Sequence, residues 1–146
     1  MNKLIGNFIQ SNARVLDLGC GDGSLLAFLK KSNQVKGLGL EIDHQKIQKC
    51  LQKDVSVIDQ DIDSGLSNFQ DQSFDAVIMS QSIQALRKPE VALEEITRIG
   101  KEAIISIPNF ANWRCRLQLI FGGTMPVSSA LPVSYTHLRA HETIAN

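Results

Sequence analysis

A tight turn built from three glycines is the sequence feature that most constrains the fold of this chain. Residues 15–23 read Val-Leu-Asp-Leu-Gly-Cys-Gly-Asp-Gly, so a short apolar run leads directly into glycines. A helical period follows from Ser24, which places the turn between a strand and a helix. Because glycine has no Cβ atom, the backbone of such a turn can approach a ligand closely and offer its amide groups. We therefore expect a ligand-binding strand–turn–helix unit, with a glycine turn that holds no ligand as the alternative.

The residues around the turn discriminate between classes of ligand. A dinucleotide fingerprint has the spacing G-x-G-x-x-G or ends in alanine, and Ser24 stands where its third small residue belongs. Asp17 precedes Gly19, and a carboxylate there disfavours a phosphate by like-charge repulsion and suits a cationic, amino-acid-like group. A nicotinamide-dependent dehydrogenase is therefore the weakest of the functions that we consider.

Short apolar runs alternate with helical periods along the chain, which is typical of an α/β protein with a doubly wound, mainly parallel sheet. Residues 1–132 form one domain in this interpretation, with Ser24 and Asp43 as helix caps. The predicted strands cover residues 14–18, 35–42, 55–58, 74–79 and 102–107. The predicted helices cover residues 2–10, a segment that starts at Ser24, and residues 44–53, 89–99 and 111–121. Helix 44–53 is expected to face inward with Ile47, Cys50 and Leu51. Helix 89–99 is expected to face inward with Ala92, Leu93, Ile96 and Ile99.

Composition excludes several classes of protein. Lysine and arginine number 15 against 15 aspartate and glutamate residues, and this balance argues against a nucleic-acid-binding protein. No apolar run approaches the roughly 20 residues that span a membrane, and the N-terminus lacks the apolar region of a signal peptide. The three cysteines, Cys20, Cys50 and Cys115, are too few and too widely spaced for a disulfide framework or a zinc site. The expectation is a cytoplasmic domain with free thiols, no membrane contact and no metal.

The last residues are expected to be foreign to the natural chain. Residues 133–143 resemble one translated frame of a sequencing adaptor, so we interpret residues 133–146 as a non-native tail that follows a cut near Pro132. His137 and His141 in this tail have the spacing of a helical metal site, which we attribute to the adaptor codons. The cut is expected to leave the edge of the fifth strand unpaired and to make the chain poorly soluble.

Two acidic positions follow the second and third predicted strands. Glu41 lies at the end of the second strand, where an acid can accept both hydroxyls of a ribose, and it is preferred over Asp43 for that role. After the third strand, the alternating acids from Asp59 do not make a calcium loop, because its sixth and twelfth positions hold Ser64 and Gln70. Asp61 and the Ile62 amide are better placed for the exocyclic amine of an adenine, although a solvated acidic loop remains the alternative.

These motifs, together with Phe74-Asp75-Ala76-Val77-Ile78, resemble those of the class I S-adenosylmethionine-dependent methyltransferases. The resemblance implies that the glycine turn and Asp17 hold the methionine part of the cofactor, that Glu41 holds its ribose and that Asp61 holds its adenine. Ser80 and Gln81 would line the pocket near the sulfonium. The full set of cofactor-binding residues that we expect is Asp17, Gly19, Cys20, Gly21, Gly23, Glu41, Ile42, Asp61, Ile62, Ser80 and Gln81.

Further stretches are similar to the methionine biosynthesis protein MetW family. They are residues 39–43, 80–85, 106–113 and 123–127, and the similarity extends over residues 13–132. It implies a protein that binds S-adenosylmethionine or S-adenosylhomocysteine and acts through a homoserine O-acyltransferase. Asn109, Phe110 and Trp113 would form an acceptor-side wall, a docking surface or simply core.

No catalytic residue is expected. Methyl transfer from a sulfonium needs alignment and a desolvated pocket rather than an acid–base constellation. His44, the one histidine before the tail, begins a helix and is interpreted as a capping or solvated residue. The alternative function is a free-standing methyltransferase that acts on a small molecule.

Overall fold

The computed structural model describes residues 1–80, 82–108 and 133–139 of the chain. Their strands form one six-stranded sheet of order β3-β2-β1-β4-β5-β6, in which β1 to β5 run parallel and β6 runs antiparallel to β5. This is the doubly wound α/β fold that the sequence predicts. The strands are β1 Arg14–Leu18, β2 Lys36–Glu41, β3 Ser56–Asp59, β4 Phe74–Ser80, β5 Gly100–Pro108 and β6 Val133–Arg139. The helices are α1 Asn2–Phe8, α2 Ser24–Asn33, α3 His44–Gln52 and α4 Pro89–Ile99, with short 3₁₀ turns at Ile62–Ser64 and Ile83–Ala85.

The two faces of the sheet carry separate apolar cores. Leu16 and Leu18 of β1 pack in one core with residues of α4, whereas Val15 packs in the other with residues of α1, α2 and α3. Because successive side chains of a strand point to opposite faces, Asp17 shares the face of Val15. The same alternation puts Glu41 of β2 on that face, since Leu40 belongs to the opposite core. Strand geometry alone therefore brings the two acids to one side of the sheet.

Helix α4 has the bounds and the buried stripe that its sequence predicts. Pro89 occupies its first turn, where a missing amide costs no hydrogen bond, and Gly100 follows its last residue. Its buried residues are Ala92, Leu93, Ile96 and Ile99.

Two local predictions are wrong. The N-cap of α2 is Gly23 rather than Ser24, because Gly23 adopts a left-handed φ of 76° that only glycine tolerates easily. Leu51 of α3 is 62% exposed, and Cys50 is the buried residue of that helix. The predicted cap at Asp43 is confirmed, since its side chain accepts from the Gln45 and Lys46 amides.

The prediction of an unpaired edge on β5 is also wrong. Strand β6 pairs with β5 from Pro108↔Val133 to Glu102↔Arg139, so segment 133–139 covers that edge and the argument for poor solubility loses its basis. That residues 133–146 are foreign to the natural chain stays a prediction. The predicted helix 111–121 and the segment of Asn109, Phe110 and Trp113 lie outside the described residues. Among the residues described, no helix has both the length and the apolar character needed to cross a bilayer.

Candidate functional site

A cavity of about 700 Å³ opens at the carboxyl ends of the parallel strands. Its volume lies within the range of ordinary small-molecule sites, and its position is the one at which doubly wound sheets bind ligands. The expected site residues on its wall are Gly19, Gly21, Glu41, Ile42, Asp61, Ile62 and Ser80. Asp17, Cys20 and Gly23 are not on the wall, and Gln81 lies outside the described residues.

The three glycines of the turn have different surroundings. All three have positive φ, at 71° for Gly19, 60° for Gly21 and 76° for Gly23. A Cβ on Gly19 would lie 2.7 Å from Ser82 Cβ, and a Cβ on Gly23 would lie 2.9 Å from Cys50 Sγ. A Cβ on Gly21 would meet nothing within 4 Å. Gly19 and Gly23 therefore allow protein segments to pack against the turn, whereas Gly21 leaves open space.

The thiols of Cys20, in the turn, and Cys50, in α3, lie close together on the side of the turn away from the cavity. Cys20 Sγ lies 3.8 Å from Cys50 Sγ, and the Cys50 thiol donates to the Gly21 carbonyl at 3.1 Å. Burial is the main cause that raises the pKa of both thiols, so neither is a reactive thiolate at neutral pH. Their role here is packing of α3 against the glycine turn.

The Glu41 carboxylate is 8% exposed and is fixed by backbone amides. Its Oε2 accepts from the Gly21 amide at 2.9 Å, and its Oε1 accepts from the Ile42 and Asp43 amides at 2.9 and 3.1 Å. A carboxylate offers about four lone-pair directions, so one remains for a ligand. The sequence predicts that this carboxylate accepts from two ribose hydroxyls. For both to bind, Glu41 would have to lose one of its three hydrogen bonds from backbone amides.

Asp17 lies behind the turn, 1% exposed, and is the least solvated acid of the region. Within the described part of the chain, its Oδ1 has no hydrogen-bond donor. Burial, followed by the negative charge of Glu41, raises the pKa of Asp17 to about 7. Asp17 is therefore partly protonated at neutral pH, and a change in its surroundings would change the fraction that is ionised.

The acids at the opposite end of the cavity are more exposed and cap backbone amides. Asp61 Oδ1 accepts from the Asp63 amide at 2.9 Å. Both oxygens of Asp63 accept from the Arg87 amide at 3.1 Å, and its Oδ1 also accepts from the Lys88 amide at 3.4 Å. These bonds join the segment after β3 to the segment after β4 at the wall of the cavity.

Sequence reasoning missed several residues of the wall. They are Lys46, Gln60, Asp63, Ser82 and Arg87. Asp63 belongs to the acidic run that the sequence singles out, but its partners are more than 20 residues away and no local pattern indicates them. His44 is exposed, with Nδ1 3.5 Å from Asp59 Oδ2, and does not line the cavity. No group of three metal-ligating side chains occurs among residues 1–80, 82–108 and 133–139.

A family model described as methionine biosynthesis protein MetW matches residues 2–141. The chain belongs to the MetW family. A MetW relative, the bifunctional methionine biosynthesis protein MetXA/MetW of Rhodopirellula baltica, is 35% identical over 126 residues. That match covers 81% of this chain and 20% of the relative, so the chain spans about a fifth of the relative's length.

Solved structures share the fold of this MetW-family chain. A TehB-like SAM-dependent methyltransferase from Corynebacterium glutamicum has a TM-score of 0.63 at 24% identity, covering 73% of this chain and 61% of that one. A SAM-dependent methyltransferase from Aquifex aeolicus has a TM-score of 0.66 at 19% identity, covering 82% and 76%. The [4+2]-cyclase SpnF has a TM-score of 0.64 at 22% identity, covering 72% and 43%. These likenesses confirm the class I methyltransferase fold, and the cyclase shows that the fold does not fix the reaction.

Proposed function

We propose that this MetW-family chain binds S-adenosylmethionine or S-adenosylhomocysteine in the cavity and acts in methionine biosynthesis with a homoserine O-acyltransferase. The arrangement of Glu41 carries the proposal. A buried carboxylate, tied to the glycine turn by the Gly21 amide, faces a cavity of small-molecule size with one acceptor direction left. A ribose hydroxyl is the donor that such a group suits.

The other residues of the site fit an adenosyl ligand. Gly21 offers open space in which a ligand can lie against the backbone, and Asp61 and Ile62 stand on the wall where an adenine amine and ring would lie. Ser80, with Gln81 beside it in sequence, would stand near the sulfonium end. Asp17, Cys20 and Gly23 would support the turn from behind, and Asp17 would contribute negative charge rather than a direct contact.

No residue of this chain is proposed as a catalytic acid or base. S-adenosylmethionine, when bound, supplies a methyl group on a cationic sulfur. The chain's own residues bind and orient that ligand, and alignment of this kind needs no proton transfer. A binding role is therefore compatible with the site, as is a free-standing methyltransferase that acts on a small molecule.

The partner is inferred from the family. The name of the Rhodopirellula baltica relative joins two methionine biosynthesis proteins in one polypeptide, and this supports the action of a MetW-like chain together with a second such protein. The family resemblance implies that this second protein is a homoserine O-acyltransferase, and both would be cytoplasmic.

Co-elution and activity test this proposal together. The purified chain is mixed with a homoserine O-acyltransferase, with and without S-adenosylhomocysteine, and is followed by size-exclusion chromatography and by the acyl-transfer rate. We expect co-elution and a changed rate. Separate elution with an unchanged rate would contradict the partnership, and methyl transfer to a metabolite by the isolated chain would favour the alternative enzyme.

A further inference from the structure

The segment after β4 runs along the cavity and is fixed at its first end by Ser82. The Ser82 hydroxyl donates to the Leu18 carbonyl at 2.8 Å, at the end of β1. Its Cβ also packs against the bare Cα of Gly19, where an added methyl group would be 2.7 Å away. The segment therefore starts at the glycine-turn end of the cavity.

Asp63 fixes the other end of the same segment. Its carboxylate binds the Arg87 and Lys88 amides, and it follows Asp61 by two residues. The Arg87 backbone is thereby held beside Asp63, and the Arg87 side chain lines the same cavity as Asp61 and Ile62. Ala85 and Leu86, which lie between the two fixed points, also line the cavity.

The Arg87 side chain is exposed, lines the cavity and forms no ion pair within the described part of the chain. The Asp63 carboxylate, which accepts from the Arg87 amide, is already engaged by two backbone amides. A guanidinium in this situation is available to a ligand, and its planar group stacks on aromatic rings. Lys88, the next residue, has the same charge but is not on the cavity wall.

We propose that Arg87 is a specificity-determining residue that contacts the adenine ring of the bound ligand, and that Asp63 is the positioning residue that holds it there. The inference rests on the proposed binding of an adenosyl ligand and adds the residue that recognises its base. A cation over an aromatic face contributes about 0.5 to 2 kcal/mol, which corresponds to roughly a 2- to 30-fold change in affinity.

Calorimetric titration with two ligands tests the role of Arg87. S-adenosylhomocysteine carries an amino-acid carboxylate, whereas 5′-methylthioadenosine has the same adenosine and thioether without it. We expect Arg87→Ala to weaken the binding of both ligands by a similar factor of roughly 2 to 30. The matched control Lys88→Ala, which keeps the backbone amide and removes the same charge, should change either affinity less than about twofold.

Each other result overturns the inference. Weakening of S-adenosylhomocysteine alone would mean that Arg87 binds the carboxylate, and equal losses in Arg87→Ala and Lys88→Ala would mean a general effect of charge. Unchanged affinity in Arg87→Ala, with binding by the wild type, overturns this inference only. Absence of binding by the wild type overturns the proposed function as well.

A double-mutant cycle tests the role of Asp63. Asp63→Ala should weaken both ligands about as much as Arg87→Ala, and the double variant should lose little more. Asp63→Asn keeps one oxygen acceptor for the two amides and should restore part of the affinity. Additive losses, or no rescue by asparagine, would contradict a positioning role.

Discussion

The two ends of the cavity hold acids of the same kind in opposite environments. At the glycine-turn end, Asp17 and Glu41 are 1% and 8% exposed and interact through a poorly solvated region. At the other end, Asp61 and Asp63 keep more solvent and cap nearby amides. Removal from water makes a charge expensive, whereas an exposed cap forms hydrogen bonds without that cost. Changes at the buried end should therefore alter stability and pH dependence more than changes at the exposed end.

The largest expected difference between the ends is in the pH dependence of stability. The pKa of Asp17 is raised from its usual range to about 7, so the folded state favours the protonated form. Its contribution to stability is fully present below the unfolded pKa and is lost as pH rises towards 7, to a total of about 4 kcal/mol.

Urea unfolding of wild type and Asp17→Asn at pH 4 and pH 8 measures that contribution. Relative to the variant, the wild type should lose about 4 kcal/mol of unfolding free energy between the two pH values. The control Ser64→Ala, at the exposed end, removes no titratable group and should run parallel to the wild type. Parallel curves for Asp17→Asn would show that burial does not control the charge of Asp17.

The second largest effect is expected at Gly19. An alanine there is strained by the positive φ and meets Ser82 Cβ at 2.7 Å, so the loss of stability should be about 3 kcal/mol. Gly21→Ala has the same backbone strain without a neighbour within 4 Å and should lose about 1 kcal/mol. Urea midpoints separate the two, and equal losses would refute the close packing of Ser82 on the turn.

A third comparison sets the two proposed ligand acids against each other. Glu41→Gln replaces one carboxylate oxygen with an NH2 group, which donates and cannot accept, and hydrogen bonds to a charged group contribute about 1.5 to 3 kcal/mol. S-adenosylhomocysteine affinity should therefore fall by about 10- to 100-fold. Asp61→Asn, in better solvated surroundings, should lose about fivefold or less. Calorimetry measures both, and a reversed order would place the dominant contact at the exposed end.

The smallest effects concern two serines, each of which donates one hydrogen bond to a backbone carbonyl. Ser82→Ala removes a part-buried bond of 2.8 Å to Leu18 and should cost about 1 kcal/mol of stability. Ser64→Ala removes an exposed bond of 2.7 Å to Asp61 and should cost less than about 0.5 kcal/mol. If thermal unfolding shows equal losses, the packing at the two ends does not differ as described.

Much of the fold could be predicted because it depends on local periodicity. Strand β1 and helix α4 have the predicted bounds, since an unbroken apolar run and a Pro-to-Gly helical stripe leave little choice. Helix caps and faces depend on more than local pattern. The N-cap of α2 is Gly23, in a left-handed conformation, rather than Ser24, and the buried residue of α3 is Cys50 rather than Leu51.

The candidate site could be predicted only where its residues sit in the glycine turn or at and just after strand ends. Glu41 and Gly21 come from such positions and do line the cavity, whereas Asp17 lies within β1, before its last residue, and is buried behind the turn. Ser82, Asp63 and Arg87 could not be predicted, because their contacts join segments that are distant in sequence. Pairing of β5 by β6 is of the same long-range kind.

Isothermal titration of the wild-type chain with S-adenosylhomocysteine, and separately with NAD, tests the central claim most directly. The account predicts saturable, one-to-one binding of the adenosyl thioether and no binding of the dinucleotide. Heat from NAD alone, or from neither compound, would contradict it.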